Sequence, residues 1–185
     1  MKFDIQQTAK GHRIVVAHRG VAGGNIPCNT LAAYEIALKQ GADMIEVDVS
    51  KSKDDKLFIF HPGMEEDHFN KKINFKRMKF DSIAKERYVN FDNSVTQFGV
   101  STFDDFLEQF KDRCFINIDK FWDNPEMIYK AIKRHNMLEQ VLVKSSLSHK
   151  IIKTVEDFCP DVAFMPIVRD KHPYHQELMK RNINY

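Results

Sequence analysis

Residues 15–48, VVAHRGVAGGNIPCNTLAAYEIALKQGADMIEVD, hold the pattern around which the rest of the chain is interpreted. A short apolar segment ends in His18-Arg19-Gly20, a glycine-containing loop and a helix follow, and a second apolar segment ends in Glu46-Val47-Asp48. Parallel strands of a barrel or an open sheet carry their chemistry at their C-terminal ends. Both polar clusters stand at such ends, so the stretch predicts a strand–helix–strand unit with a functional site at its C-terminal edge.

The local signals within this stretch agree with that interpretation. The compact β-branched run Arg13–Ala17 predicts a buried parallel strand, and Asn29 or Thr30 can cap a helix over Leu31–Gln40. Gly41 ends this helix. Side chains alternate along the next strand, Met44–Val49, so Glu46 and Asp48 share the face opposite three apolar residues.

The rest of the chain continues to alternate between strands and helices, which indicates a parallel sheet with helices outside. Further strands are predicted at Leu57–Phe60, Cys114–Ile118, Val141–Lys144 and Ala163–Val168, and further helices at Phe103–Lys111, Pro125–Asn136, Ser148–Phe158 and His175–Asn182. A closed eight-stranded barrel takes about 250 residues, whereas this chain has 185. We therefore expect an α/β fold of the TIM-type (β/α) barrel class, incomplete at its C-terminus, with about six of eight strand units in one domain over residues 1–185. A shortened chain, an open form of the fold or association into a homo-oligomer would each explain the missing units.

Three segments are less regular. Residues 1–11 predict an arm or a first short strand, and Ser50–Lys56 is too short to hold a crossover helix. We expect the latter to run back along the sheet so that the next strand is parallel. An antiparallel hairpin is the alternative, which we disfavour because it would place His61 at the opposite end from Asp48. Residues 62–99 form an insertion with a basic helical piece around Asn70–Arg87, interpreted as a solvated helix face rather than an anion-attracting lid.

Three carboxylates are candidate metal ligands. Glu46 and Asp48 lie on one strand face, and Asp119 ends another predicted strand, where Asn117, Asp119 and Phe121 alternate to the same face. Carboxylate oxygens suit a hard divalent cation, Mg²⁺ or Ca²⁺. On spacing alone, paired surface carboxylates at a strand end would be the simpler explanation.

Two histidines and three basic residues complete the candidate site. His18 and His61 end the first and third predicted strands, and such a pair can divide general acid and general base work. The other histidines are interpreted as surface residues: His12, His68, His135, His149, His172 and His175. The planar guanidinium of Arg19 suits phosphate oxygens or an ion pair with Glu46 or Asp48. Lys120 and Lys144 are further candidate phosphate ligands, although Lys120 would point away from Asp119 unless the strand has ended there.

Taken together, the order and spacing of HRG, NTLAAY, Glu-x-Asp, a strand-closing histidine and a strand-closing aspartate resemble the glycerophosphodiester phosphodiesterase family. This resemblance implies metal-dependent hydrolysis of a glycerophosphodiester to an alcohol and glycerol phosphate. It implies His18 and His61 as the acid–base pair, a metal on Glu46, Asp48 and Asp119, and Arg19 on the phosphate. The chain departs from the family pattern at Cys28, Pro62 and Phe121, where the family has an acidic residue, an aspartate and a lysine.

The composition of the chain bears on its ligand class and on its compartment. With 28 Lys+Arg against 26 Asp+Glu, the net charge of +2 gives no nucleic-acid signal. The resemblance implies a small-molecule phosphodiester as substrate. The three cysteines have neither disulfide nor zinc spacing, and no apolar run reaches transmembrane length. We expect a cytoplasmic protein, or a periplasmic or secreted one if a leader has been removed. Two alternatives stay open: a lipid-headgroup phosphodiesterase that forms a cyclic phosphate and docks through Phe69–Phe80, and a non-catalytic phosphate-ester binding protein.

Overall fold

The computed structural model describes residues 3–11, 13–146 and 148–167. The strands are β1 (Val16–His18), β2 (Met44–Lys51), β3 (Leu57–Ile59), β4 (Phe115–Asp119), β5 (Val141–Ser146) and β6 (Ala163–Ile167). The helices are α1 (Ile5–Gly11), α2 (Leu31–Lys39), α3 (Glu65–Phe69), α4 (Phe80–Ile83), α5 (Phe103–Phe110), α6 (Pro125–Arg134) and α7 (His149–Phe158). The predicted helix His175–Asn182 lies outside the described residues.

The sheet is an incomplete TIM-type barrel, as the alternation predicts. Its parallel strands follow the order β1-β2-β4-β5-β6, and β3 pairs with β2 outside this order. The register places His18 opposite Glu46 and Asp48 opposite Asp119. Because parallel strands end at the same edge of the sheet, these residues of three strands meet at one rim.

A single large core lies between the sheet and its helices. Ile45, Val47 and Val49 alternate to that side of β2 and are fully buried. Burying each such side chain contributes about 1.5–3 kcal/mol. This free energy keeps the apolar face of β2 against the helices, so Glu46 and Asp48 point to the opposite side of the sheet. At the start of α5 the Thr102 and Asp105 side chains form a capping box, in which each accepts a hydrogen bond from the other's backbone N–H.

The N-terminal part of the chain differs from the prediction. Residues 5–11 form helix α1 rather than an arm or strand. The first strand begins three residues later than predicted and is not buried, since Val16 is 46% exposed. It is at the edge of the sheet, and among the described residues no strand pairs with its other side.

The prediction of a parallel third strand was wrong, because β2 and β3 form an antiparallel hairpin. The objection to a hairpin rested on a second strand that ends at Val49. In fact β2 continues to Lys51, and the pairing of Val49 with Ile59 brings the returning chain level with Asp48. The Phe60 N–H donates to the Asp48 carbonyl at 3.0 Å, so His61 still follows at the rim that holds the carboxylates.

The insertion has a small core of its own. Phe69, Phe75, Ile83 and Tyr88 pack against β3 residues in a second hydrophobic cluster. The basic piece is not one helix, because Asn70 adopts a left-handed conformation that ends α3, and a 3-10 turn and the four-residue helix α4 follow.

Phe69 and Phe75 are therefore unavailable as an exposed apolar rim.

Within the described ranges, none of the helices combines the length and the apolar character that crossing a bilayer requires. That residues 1–185 form one domain remains a prediction.

Candidate active site

Three buried carboxylates converge at the rim of the sheet. Glu46, Asp48 and Asp119 are at most 8% exposed, and each offers an oxygen within 4.8 Å of the others. Glu46 and Asp48 point to this side because Val47, between them, is held in the core. The pairing of β2 with β4 then sets Asp119 directly beside Asp48.

Basic side chains surround these carboxylates. The Arg19 Nε lies 2.9 Å from Asp48 Oδ2, and the Lys144 Nζ lies 2.8 Å from Glu46 Oε1 and 3.2 Å from Asp119 Oδ2. Burial opposes the charge on Lys144, but the hydrogen bonds and charges of Glu46 and Asp119 raise its pKa overall. Lys144 is therefore a cation held among acidic oxygens.

Lys120 reaches the same site because β4 ends at Asp119. It adopts a left-handed conformation with a φ of 63°, which brings its Nζ to 3.7 Å from Asp119 Oδ2 and 5.1 Å from the centre of the Trp122 ring. The same turn removes Phe121 from the alternation, and its ring packs in the main core rather than on the Asp119 face.

The oxygens of the site fit a divalent cation. Asp48 Oδ1 and Asn117 Oδ1 are buried and have no hydrogen-bond partner among the described residues. Asn117 lies opposite Glu46 in the sheet. Buried acceptors without donors are costly, whereas Mg²⁺ and Ca²⁺ bind carboxylate and amide oxygens. The donor set is therefore suited to a hard cation.

Asn29, which the sequence suggests only as a helix cap, orients Asp48. Thr30 caps α2 instead, and Asn29 takes a left-handed conformation with a φ of 54°. Its Nδ2 donates to Asp48 Oδ2 at 2.9 Å, and its Oδ1 accepts from the Tyr34 hydroxyl at 2.7 Å. No periodicity reveals this role, because it depends on the backbone conformation of one residue.

The two candidate histidines lie in different surroundings. The His18 side chain is 68% exposed, and its Nε2 lies 3.8 Å from Glu46 Oε2. The His61 Nδ1 lies 3.0 Å from the Pro62 carbonyl oxygen. A carbonyl only accepts hydrogen bonds, so Nδ1 carries the proton and Nε2 of neutral His61 is left with a lone pair.

His68 is not the surface residue that the sequence predicts. It is half-buried against the rings of Phe60 and Tyr88, and its Nε2 lies 3.7 Å from Cys28 Sγ. Burial lowers the pKa of His68 and raises that of Cys28. Both groups are therefore neutral at pH 7, which argues against a nucleophilic thiolate at Cys28.

Gly20 allows the loop after Arg19 to pack against α2. Its φ is +77°, and a Cβ there would lie 2.7 Å from the Ala33 carbonyl carbon. Gly24 also has a positive φ, of +56°, but a Cβ at that position meets open space.

Gly20→Ala is expected to lower the free energy of unfolding more than Gly24→Ala. Both changes carry a left-handed strain of about 1 kcal/mol, and overpacking adds about 1–3 kcal/mol at Gly20 alone. Urea denaturation of the two variants measures the difference. Equal losses would contradict the close approach of the loop to α2.

A cavity of about 450 Å³ lies near the C-terminal ends of β4 and β5. Its lining combines Trp122 with Ser146 at the end of β5 and with residues at the beginnings of α6 and α7, among them Glu126 and Lys150. Trp122 lines this cavity and also contacts Lys120, whereas none of the candidate catalytic, metal-binding or phosphate-binding residues lines it.

Comparison with known proteins identifies the family. Residues 18–182 match the model of the glycerophosphoryl diester phosphodiesterase family. A glycerophosphodiester phosphodiesterase from Caldanaerobacter subterraneus subsp. tengcongensis is 30% identical over 80% of this chain and 63% of its own length. One from Bacillus subtilis is 26% identical over 85% of this chain and 60% of its own.

Solved structures agree in fold. A glycerophosphodiester phosphodiesterase from Agrobacterium tumefaciens has a TM-score of 0.72 at 25% identity and covers 83% of this chain and 66% of its own. A phosphodiesterase from Oleispira antarctica, in complex with the product sn-glycerol-3-phosphate, has a TM-score of 0.76 at 19% identity, with 92% and 72% covered. The chain spans less than two thirds of the two curated relatives and of the Agrobacterium protein. Because the family model matches most of its residues, the chain belongs to the glycerophosphoryl diester phosphodiesterase family.

Proposed function

We propose that this protein hydrolyses glycerophosphodiesters to an alcohol and glycerol phosphate with the help of a divalent cation. The observation that carries the proposal is the convergence of Glu46, Asp48 and Asp119 within 4.8 Å at one rim of the sheet. The names of the relatives support the same reaction, as does the glycerol phosphate bound to the Oleispira protein.

Glu46, Asp48 and Asp119 would hold the cation, which would be Mg²⁺ or Ca²⁺. When bound, it supplies charge stabilisation to the phosphoryl oxygens and to the attacking oxygen. The hydrogen bond from Asn29 keeps Asp48 in position for this task.

His18 and His61 divide the proton transfers. Neutral His61, with its Nδ1 proton held by the Pro62 carbonyl, accepts a proton from the attacking oxygen through Nε2. The His18 ring is 68% exposed at the rim, with its Nε2 3.8 Å from Glu46 Oε2, so a departing alkoxide can approach it. His18 therefore donates a proton to the departing alkoxide.

Arg19, Lys120 and Lys144 bind the phosphate. All three lie within 4 Å of a carboxylate oxygen of the cluster, and Arg19 has a planar fork that suits two phosphate oxygens. The cavity lined by Trp122 is the space available to the alcohol portion of the substrate.

Turnover of glycerophosphocholine is expected to require added Mg²⁺ or Ca²⁺ and to disappear with EDTA. Release of choline and of glycerol phosphate, followed by a coupled assay and by ³¹P NMR, measures the reaction. Glu46→Gln, which removes one ligand charge, is expected to lose turnover at every metal concentration. Full activity in EDTA would remove the metal from the proposal.

The same experiment separates the alternatives. A cyclic phosphate in the ³¹P spectrum would identify intramolecular attack by a neighbouring hydroxyl instead of water. Binding of glycerophosphocholine without release of either product would identify a phosphate-ester binding protein.

A further inference from the structure

The charges of the described site cancel, and this balance has a consequence for the order in which ligands bind. Glu46, Asp48 and Asp119 contribute three negative charges. Arg19 lies against Asp48, Lys144 bridges Glu46 and Asp119, and Lys120 lies near Asp119. Three carboxylates thus face three cations, and the site carries almost no net charge before any ligand enters.

We propose that the Lys144 ammonium and the divalent cation are alternative partners of Glu46 and Asp119, so that cation binding and phosphate binding strengthen each other. This inference rests on the proposed function. It adds a role for Lys144 that goes beyond contact with the phosphate: Lys144 links the two binding sites.

The distances in the site indicate that the Lys144 ammonium and a divalent cation compete for the oxygens of Glu46 and Asp119. A divalent cation binds carboxylate oxygens at about 2.0–2.6 Å, while the Lys144 Nζ is already 2.8 Å from Glu46 and 3.2 Å from Asp119. Both cations on the same pair of oxygens would lie within a few ångströms of each other, beside carboxylates that are at most 8% exposed. Their repulsion at that distance is strong, so the ammonium must leave when the metal binds.

Charge determines where the ammonium goes. With a divalent cation added to the balanced set, the site has an excess of two positive charges. A phosphate group supplies the missing negative charge, and its oxygens accept hydrogen bonds from the displaced ammonium. The dianion of glycerol phosphate matches the excess more fully than a diester with one negative charge. The product is therefore expected to bind the metal-loaded protein more tightly than the substrate does.

The coupling between metal binding and phosphate binding is reciprocal, so it can be measured from either ligand. If the phosphate draws Lys144 from the carboxylates, it raises the affinity for the metal by the same factor by which the metal raises the affinity for the phosphate. In the wild-type protein, titration calorimetry with Mg²⁺ is expected to give a dissociation constant about tenfold lower when sn-glycerol-3-phosphate is present. An unchanged constant would overturn the proposal without reference to any variant.

Lys144→Met tests the residue itself. Without the competing ammonium, Mg²⁺ alone is expected to bind about tenfold more tightly than to the wild type. The enhancement by sn-glycerol-3-phosphate is expected to be smaller than in the wild type, and the part that remains comes from attraction between the cation and the phosphate. Lys144→Gln, which also removes the charge but keeps a polar end, should behave in the same way and decides the question if the Met variant unfolds. Lys130→Met is the matched control for net charge, because Lys130 is 74% exposed on α6.

The outcomes distinguish this inference from the proposed function. If Mg²⁺ binds the wild type and Glu46→Gln abolishes that binding, but the Lys144 variants behave like Lys130→Met, only the link through Lys144 is wrong. If Mg²⁺ does not bind, or binds equally to Glu46→Gln, the metal centre is wrong and the inference falls with it.

Discussion

His18→Ala is expected to lower the kcat of glycerophosphodiester hydrolysis by about 10²–10⁴-fold, the usual contribution of a general acid or base. The side chain is 68% exposed and lies 3.8 Å from Glu46, so its loss leaves no cavity in the core. The fold and the affinity for Mg²⁺ are therefore expected to survive, and the effect should fall on kcat rather than on stability. Steady-state kinetics with glycerophosphocholine, together with thermal unfolding of the same preparation, measures both.

His149→Ala is the control for this experiment, because His149 begins α7 on the exposed surface. The kcat of the His149→Ala variant should match that of the wild type. Equal turnover in His18→Ala and the wild type would remove His18 from the mechanism, whatever the metal does.

Asp48→Asn is expected to abolish Mg²⁺ binding and to lower the free energy of unfolding by about 3 kcal/mol. Asp48 is completely buried and is the carboxylate that neutralises Arg19. Removing one partner of a buried ion pair leaves the other charge uncompensated. Urea denaturation in EDTA measures the stability without any contribution from bound metal.

Asp55→Asn provides the matched comparison, since Asp55 pairs with Lys51 at a position that is 69% exposed. Loss of a surface pair is expected to cost less than about 0.5 kcal/mol. If Asp48→Asn proved more stable than the wild type, repulsion among the three carboxylates would outweigh the pair with Arg19, and the cluster would be strained until a cation binds.

The elements that the sequence predicts well are those decided by their own residues. The alternation along residues 44–49 sets which side of β2 is apolar, and that alone places Glu46 and Asp48 together. The capping box of Thr102 and Asp105 is equally local. The partnership of Arg19 with Asp48 follows from charge once the rim is known.

What the sequence does not reveal depends on partners far along the chain or on single backbone conformations. The direction of β3 follows from how far β2 continues past Asp48, and polar residues 50 and 51 show no apolar periodicity. Left-handed conformations at Asn29 and Asn70 redirect a site residue and end a helix. His68 is covered by Phe60 and Tyr88, which no spacing pattern brings together.

The way in which the insertion is attached makes it modular. It leaves the end of β3 and returns beside it, since the Ile59 N–H donates to the Ser101 carbonyl at 3.1 Å and Phe58 bridges to Thr102. The chain segments that enter and leave the insertion are therefore hydrogen-bonded to each other. The residues between them can become more or fewer, or be replaced, without shifting β2 or its acidic residues. Substrate preference can therefore change through the residues after Met64 while the site stays constant, because the Pro62 carbonyl holds His61 and Met64 contacts Arg19.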